Sequence, residues 1–407
     1  MIAPPKITIG LLGKTNVGKS TFFSAATMIP VKIENRPFVT LEPHVGISYV
    51  RKRCIHPDLG LPKCTPVNSL CIRNERFIPV TLVDLPGLVK DAHKGRGLGN
   101  KFLDAIRQAD ALIHVVDASG STDEDGRTVK PGFRNPLEDI ITIEHEYEEW
   151  MYTIISRDWQ RFARALDTMN PSEVVEALAQ RLSGLSIRRE HVAKALAISK
   201  LENTKPSSWR EEELRLFIHS LRVIAKPIII AANKIDIPEA RDILKELYRE
   251  LSDRIIVPVT SLGELLLRRL VEKGAIEYLP GDNTFIIKDS SKLTQQELKA
   301  LSIIEEIFKI YGGTGVQKAI NETVFTGLNM IAVYPVEDPN TYTDKKGNIL
   351  PDVYLVPQGT KAIDLAYMVH TDLGKAFLYA INVRTKQRLG KEYILKDNDV
   401  IKIVAAT

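Results

Sequence analysis

Short apolar, β-branched runs recur along this chain, and most end on a polar or glycine-bearing segment. Residues 6–12 (KITIGLL) predict a strand that runs into a glycine loop, and residues 21–26 predict the helix that follows. Three prolines and Asn35 make residues 28–50 a loop. Residues 77–84 predict a second strand and residues 101–108 a helix; residues 111–117 (ALIHVVD), apolar nearly throughout, read as a strand buried on both faces. Residues 118–136 are polar, carry Gly120, Gly126 and Gly132, and read as a linker. A helical pattern then occupies residues 137–225. One helix start is expected where Asn170 precedes Pro171 and Glu173, and the last helix is expected to be capped by Ser208 with Glu211. Four glutamates, Glu144, Glu146, Glu148 and Glu149, are assigned to the solvated side of the first helix. Strand patterns return at residues 227–232 and 255–259. A helix capped by Thr294 and Glu297 should run to Tyr311 and stop at Gly312 and Gly313.

From about residue 330 the pattern changes. Residues 330–336, 353–356, 377–383 and 400–404 predict short strands, and residues 362–369 a helix. Strand–helix alternation interrupted by a long helical stretch predicts an α/β fold: a doubly wound sheet with an inserted helical domain and a small C-terminal α+β domain. The expected limits are 1–134 and 226–290 for the sheet domain, 135–225 for the insertion, 291–329 for a helical linker and 330–407 for the tail.

Composition narrows the class. The chain has 407 residues, 44% of them apolar and 26% charged, which suits a folded protein with ample core. No apolar run reaches membrane-spanning length, and the first residues read as a strand, not a signal peptide. The formal net charge of +4 is too small to imply nucleic acid by itself. Only three cysteines are present, so no disulfide framework is expected, which fits a cytoplasmic protein; a monomer is expected. Cys54, His56, Cys64 and Cys71 lie close in sequence. They offer a tetrahedral zinc set but lack a C-x₂-C knuckle, so buried free thiols are the competing reading.

The chemistry begins at Gly13-Lys14-Thr15-Asn16-Val17-Gly18-Lys19-Ser20, the G-x-x-x-x-G-K-S phosphate loop, followed by Thr21. Between a strand and a helix, its backbone N–H groups face a polyphosphate, Lys19 reaches the β- and γ-phosphates, and the Ser20 hydroxyl ligates Mg²⁺. Thr40, in the following loop, is placed to complete the Mg²⁺ shell while a γ-phosphate is present. Asp84 ends its strand and begins D-x-x-G: Asp84 holds Mg²⁺ through water, and the Gly87 amide senses the γ-phosphate. Gly95, Gly97 and Gly99 make the stretch after it a second switch loop. His114, inside a buried strand, is either a core residue or a group that positions water. Asn233, Lys234 and Asp236 form N-K-x-D at a strand end. The Asp236 carboxylate accepts two donors that guanine has and adenine lacks. Amides near Ser261 and Leu262 are placed to meet guanine O6.

Together, residues 84–89 (DLPGLV), 95–100 (GRGLGN) and 38–43 (FVTLEP) resemble the YchF branch of the Obg-related GTPases. The tail, through residues 353–356, 370–374 and 399–404, is similar to a TGS domain of β-grasp fold. The resemblance implies GTP and GDP as ligands, Mg²⁺ as cofactor, slow intrinsic hydrolysis, and work at the ribosome or on ribosomal RNA or tRNA. Many members of this branch depart from N-K-x-D towards ATP; this chain keeps it, so GTP preference is expected. Leu88 stands where many GTPases carry a water-orienting glutamine. In GTPases that use a monovalent cation instead of an arginine finger, an asparagine at the position of Asn16 is a ligand, so K⁺ is a second candidate cofactor. Three activities compete: a GTP-hydrolysing switch, a nucleotide-gated RNA or ribosome-binding module with incidental hydrolysis, and an ATPase. Arg384, Lys386 and Arg388 form a local basic patch, either a solvated turn or a contact for RNA phosphate.

Overall fold

The computed structural model describes residues 7–27, 44–85 and 106–406. Thr40, Gly87, Leu88, residues 28–43 and residues 86–105 lie outside the described residues. Residues 44–50, expected to belong to the first loop, instead begin the strand His44–Arg53, where burial alternates through Gly46, Ser48 and Val50. The chain falls into two compact units, one of residues 8–46 and 82–319, the other of residues 1–7, 47–81 and 320–407.

The larger unit is built on parallel strands. Thr8–Leu12 pairs with Ala111–Asp117, which pairs with Ile228–Asn233, which pairs with Ile256–Val259. Ala111–Asp117 and Ile228–Asn233 are buried at every residue, as their apolar runs require of strands covered on both faces. Parallel strands place their carboxyl ends along one edge, and that edge carries the loops after Leu12, Asp84, Asp117, Asn233 and Val259.

The helical stretch forms Leu137–Ser156, Trp159–Leu166, Pro171–Arg181, Arg189–Ile198 and Glu211–Ala225. Its apolar faces meet around Trp159, Trp209 and Phe217, with ring centroids 5.5 and 5.7 Å apart in sequence along that stack. This cluster is continuous with Leu12, Leu112 and Ile228 of the sheet. The glutamates assigned to a solvated side are not all there: Glu144 and Glu146 are buried. Glu144 pairs with Arg222 at 3.1 Å and Arg254 at 2.9 Å, and Glu148 accepts from Arg222 at 3.0 Å. Sequence patterning reads charge as solvation; here the buried Arg222 on another helix and the half-buried Arg254 on a turn reverse that.

Asn170 caps its helix, with a reciprocal Glu173 bond, and Thr294 with Glu297 does the same for Gln295–Tyr311. That helix ends at Gly312 with φ 75°, a left-handed cap. Ser208 does not cap the last helix of the block. Its hydroxyl turns back to the Lys205 carbonyl, and Glu213 instead accepts from the Arg210 amide at 2.8 Å. The Pro206–Ser208 3₁₀ turn moves the helix start two residues on.

In the smaller unit, the C-terminal sheet has the strand order Tyr354–Pro357, Met330–Val336, Val400–Ala405, Phe377–Asn382, Gln387–Leu389. The first and last long strands of the tail are parallel neighbours, and Ala362–Val369 packs on one face. The short strand Gln387–Leu389 escaped the sequence pattern because two of its three residues are polar and exposed. It closes a hairpin that carries Arg384, Lys386 and Arg388, all exposed, with the Arg388 guanidinium 3.7 Å from the centre of the Tyr379 ring. The same unit includes the hairpin of Leu70–Ile72 with the first part of Glu75–Asp84.

Candidate functional site: a phosphate loop and a base-reading loop

The phosphate loop needs backbone shapes and close approaches that side chains forbid. Gly13 has φ 147°, and a Cβ there would lie 2.5 Å from the Val115 carbonyl oxygen. Gly18 has φ 95°, and a Cβ there would lie 2.2 Å from Asn233 Nδ2. Asn16, at φ 63°, completes the turn; asparagine is among the residues that tolerate this region. The helix Lys19–Thr27 follows at once, so its first amides face the loop.

Lys19, 7% exposed, is paired with the fully buried Asp84 through Oδ1. Ser20 Oγ lies 3.3 Å from Asp84 Oδ2. A carboxylate and a hydroxyl converging beside a buried ammonium form a hard-oxygen donor set that suits Mg²⁺. Lys14 reaches Asp139 Oδ1 at 2.5 Å, and Arg134 reaches the same oxygen at 3.0 Å. Burial outweighs these two cations and holds the Asp139 carboxyl above its ordinary value.

Asn233 joins loops. Its Nδ2 donates to the Val17 carbonyl at 2.8 Å, and its Oδ1 accepts from the Ser261 amide at 3.0 Å. Asp236 Oδ1 accepts from the Thr260 hydroxyl at 2.8 Å, and Thr260 also caps the helix Ser261–Glu272. The Ser261 hydroxyl is buried without a hydrogen-bond partner, while the Leu262 side chain is exposed. The Thr15 side chain and backbone lie against Gly126, Val17 is buried, and Thr21 is half-buried in the first turn of the helix.

Two features were missed in the sequence. Asp117 holds a network of its own: Oδ1 accepts from the Ser119 hydroxyl at 2.6 Å, and Oδ2 from Ser121 at 2.8 Å, Thr122 at 2.5 Å and Lys234 Nζ at 2.7 Å. Burial favours the neutral acid, but Lys234 and the hydroxyls outweigh it and hold the Asp117 carboxyl below its ordinary value. The second is residues 118–136, expected to be a linker. They form a packed loop on the phosphate loop: Asn16 Nδ2 donates to the Gly126 carbonyl at 2.8 Å, and a Cβ on Gly126 would lie 2.9 Å from Thr15 Cβ. The signal for both was an aspartate at the end of a buried strand followed by serine, serine and threonine.

His114 sits between Leu12 and Ile230 in the sheet, 1% exposed, and its Nδ1 has no hydrogen-bond partner. Burial, with a smaller push from Lys14, lowers its pKa to about 3. It is therefore neutral at physiological pH and a weak base.

Parallel strands that deliver a phosphate loop, a strand-end aspartate and N-K-x-D along one edge define a P-loop nucleotide-binding protein. Family models match three stretches: a 50S ribosome-binding GTPase over residues 8–152, the G4 motif-containing domain of an Obg-like GTPase, YGR210-like, over 231–338, and a TGS domain over 340–405. An uncharacterized GTP-binding protein of Methanocaldococcus jannaschii is 46% identical over 98% of this chain and 99% of its own length. The ribosome-binding ATPase YchF of Bacillus subtilis is 29% identical over 97% of this chain and 98% of its own. The crystal structure of a GTP-binding protein from Pyrococcus horikoshii OT3 superposes with a TM-score of 0.77 at 37% identity, covering 98% of this chain and all of the other. The chain belongs to the YchF-related, Obg-like family of P-loop GTPases with a C-terminal TGS domain. No helix among the described residues is long and apolar enough to cross a membrane.

Because the folded pKa of His114 lies below 6.5, its ordinary value, the unfolded chain binds the extra proton first. Its contribution to stability is complete above pH 6.5 and is lost as pH falls towards 3, by about 1.4 kcal/mol per pH unit. His114→Leu should therefore show a shallower loss than wild type in denaturant unfolding between pH 7 and 5. Parallel pH curves for the two proteins would contradict the buried neutral imidazole.

Proposed function

We propose that this protein is a GTP-hydrolysing switch acting in translation, with GTP favoured over ATP. The observation that carries the reading is the Asn233 carboxamide, which ties the phosphate loop at Val17 to the base-side loop at Ser261. With GTP bound, Lys19 leaves Asp84 for the β- and γ-phosphates, Ser20 and Asp84 serve Mg²⁺, and the backbone of Gly13 to Thr21 lines the phosphates. Asp236 accepts the guanine donors, and the Lys234 stem, anchored by Asp117, covers the base. The Ser261 amide is already taken by Asn233, so the Leu262 amide is the better donor to guanine O6. Thr40 and Gly87 report the γ-phosphate. His114 takes no step, being buried among strands; Leu88 leaves water unpositioned by glutamine, and turnover is slow. The domain limits read from the sequence are retained here as functional modules, coupled through the switch loops.

A nucleotide-gated binding module with incidental hydrolysis is the second reading, favoured by Leu88. Several relatives are named ATPases, which makes nucleotide choice the first question. Asp236→Asn removes a charged acceptor, at a cost of roughly 1.5–3 kcal/mol, so GTP affinity should fall about tenfold or more with ATP affinity little changed. Calorimetry of both nucleotides on both proteins reads this; an unaltered GTP-to-ATP ratio contradicts base reading by Asp236.

K⁺ is proposed as the charge that assists hydrolysis. Asn16 Nδ2 donates to the Gly126 carbonyl at 2.8 Å, a bond that restrains the amide and supports a ligand role for its Oδ1. Turnover should be faster in K⁺ than in Na⁺ at equal ionic strength, with the difference lost in Asn16→Ala and all turnover lost in Lys19→Ala. Equal rates in both salts remove the cation, and unchanged turnover in folded Lys19→Ala removes the phosphate-loop mechanism itself.

RNA phosphate is the proposed contact of the hairpin that carries Arg384, Lys386 and Arg388. Replacing all three with alanine should weaken binding to ribosomal subunits and flatten its log–log salt dependence by about two. GTP turnover without RNA should not change. A salt slope equal to that of wild type rules this surface out.

A further inference from the structure

Every cysteine of the chain lies between residues 54 and 71, and the smaller unit brings them to one point. Cys54 follows the strand His44–Arg53, and its amide donates to the Asn74 carbonyl at 2.7 Å. His56 precedes the 3₁₀ turn Pro57–Leu59. Cys64 lies on the loop beyond it, and Cys71 on the strand Leu70–Ile72, opposite Arg76 in the hairpin. One ligand atom from each of Cys54, His56, Cys64 and Cys71 falls within 4.8 Å of all the others. Cys54 Sγ and Cys64 Sγ are 3.7 Å apart, and Cys71 Sγ is 3.8 Å from His56 Nδ1. A tetrahedral zinc with bonds of about 2.3 Å to sulfur sets its sulfurs about 3.8 Å apart. Separations of this size are those of ligands around a common centre, and too long for a disulfide bond.

The surrounding charge agrees. Three thiolates and a neutral imidazole around Zn²⁺ carry a net charge of one minus. Arg76 is fully buried, and no carboxylate lies within salt-bridge distance of it among the described residues. Its Nη1 is 3.5 Å from Cys64 Sγ, and its Nη2 donates to the Leu350 carbonyl at 2.6 Å. A buried guanidinium needs a counter-charge, and a zinc–thiolate centre supplies one.

We propose that Cys54, His56, Cys64 and Cys71 bind a structural Zn²⁺ ion. Four protein ligands close the shell and leave no position for a substrate. Binding displaces the thiol protons to solvent and involves no redox change. The metal fixes a loop with little regular structure of its own. That loop is hydrogen-bonded to residues 349–353: Thr65 N to Ile349 O at 2.9 Å, Val67 N to Pro351 O at 2.7 Å, and Asn68 with Val353 in both directions. Zinc therefore pins the segment on which the C-terminal sheet leans within this unit.

The test uses the full chain, purified under reducing conditions without a metal-affinity step and then reconstituted with Zn²⁺ or Co²⁺. Elemental analysis should find about one zinc per chain, and almost none in Cys54→Ser/Cys71→Ser. Co²⁺ should give sulfur-to-cobalt charge-transfer absorption that weakens in Cys64→Ser. Removing zinc should lower the unfolding temperature of wild type by roughly 5 °C or more. The wild-type arms decide the matter even if the variants fail to fold. Zinc below about a tenth of an equivalent after reconstitution, with no charge-transfer band, overturns the site in favour of free thiols. Iron as the metal present on purification, or a Cys54–Cys64 disulfide in protein that takes up no Co²⁺ when reduced, overturns it equally.

Discussion

Two opposite charges buried side by side, Lys19 and Asp84, set the terms for the nucleotide site. Neither tolerates burial alone; stripping one partner from such a pair costs roughly 3–5 kcal/mol. Under the proposed function, a polyphosphate would take the ammonium and a divalent cation the carboxylate, so that both ions would keep a partner throughout. The glycines at 13 and 18 serve the same end, because a side chain at either would strike Val115 or Asn233 before any phosphate arrived. The parallel strands bring these groups to one edge without long connections.

Around that pair the loops are cross-braced by side-chain carboxamides and carboxylates. Asn233 binds two loops with one amide, and Asp117 holds three hydroxyls and an ammonium. Each brace satisfies buried polar groups that would otherwise be orphaned, and so favours one arrangement of the loops. Preorganisation of this kind lowers the ordering cost of nucleotide binding.

Much of the sheet unit was legible because its signals are local: apolar runs, a glycine loop, and aspartates at strand ends. The tail's long strands were legible for the same reason. What was hidden depends on contacts far apart in sequence. Glu144 looks solvated until Arg222 and Arg254 are brought to it, and residues 118–136 look like a linker until Asp117 gathers their hydroxyls. The cysteine set lacked the usual knuckle spacing, and only the hairpin register carries Cys71 to His56. Ser208 offered a plausible cap, but the proline turn before it passed that role to the next residues.

The central claim is that the γ-phosphate, read by these loops, governs what the protein holds. Its most direct test is co-sedimentation of the full chain with ribosomal subunits in a non-hydrolysable GTP analogue, GDP, the matching ATP analogue, or no nucleotide. The account predicts retention with the GTP analogue and release with GDP, with the ATP analogue behaving like no nucleotide. Equal retention under all four conditions, or retention driven by the ATP analogue alone, would contradict it.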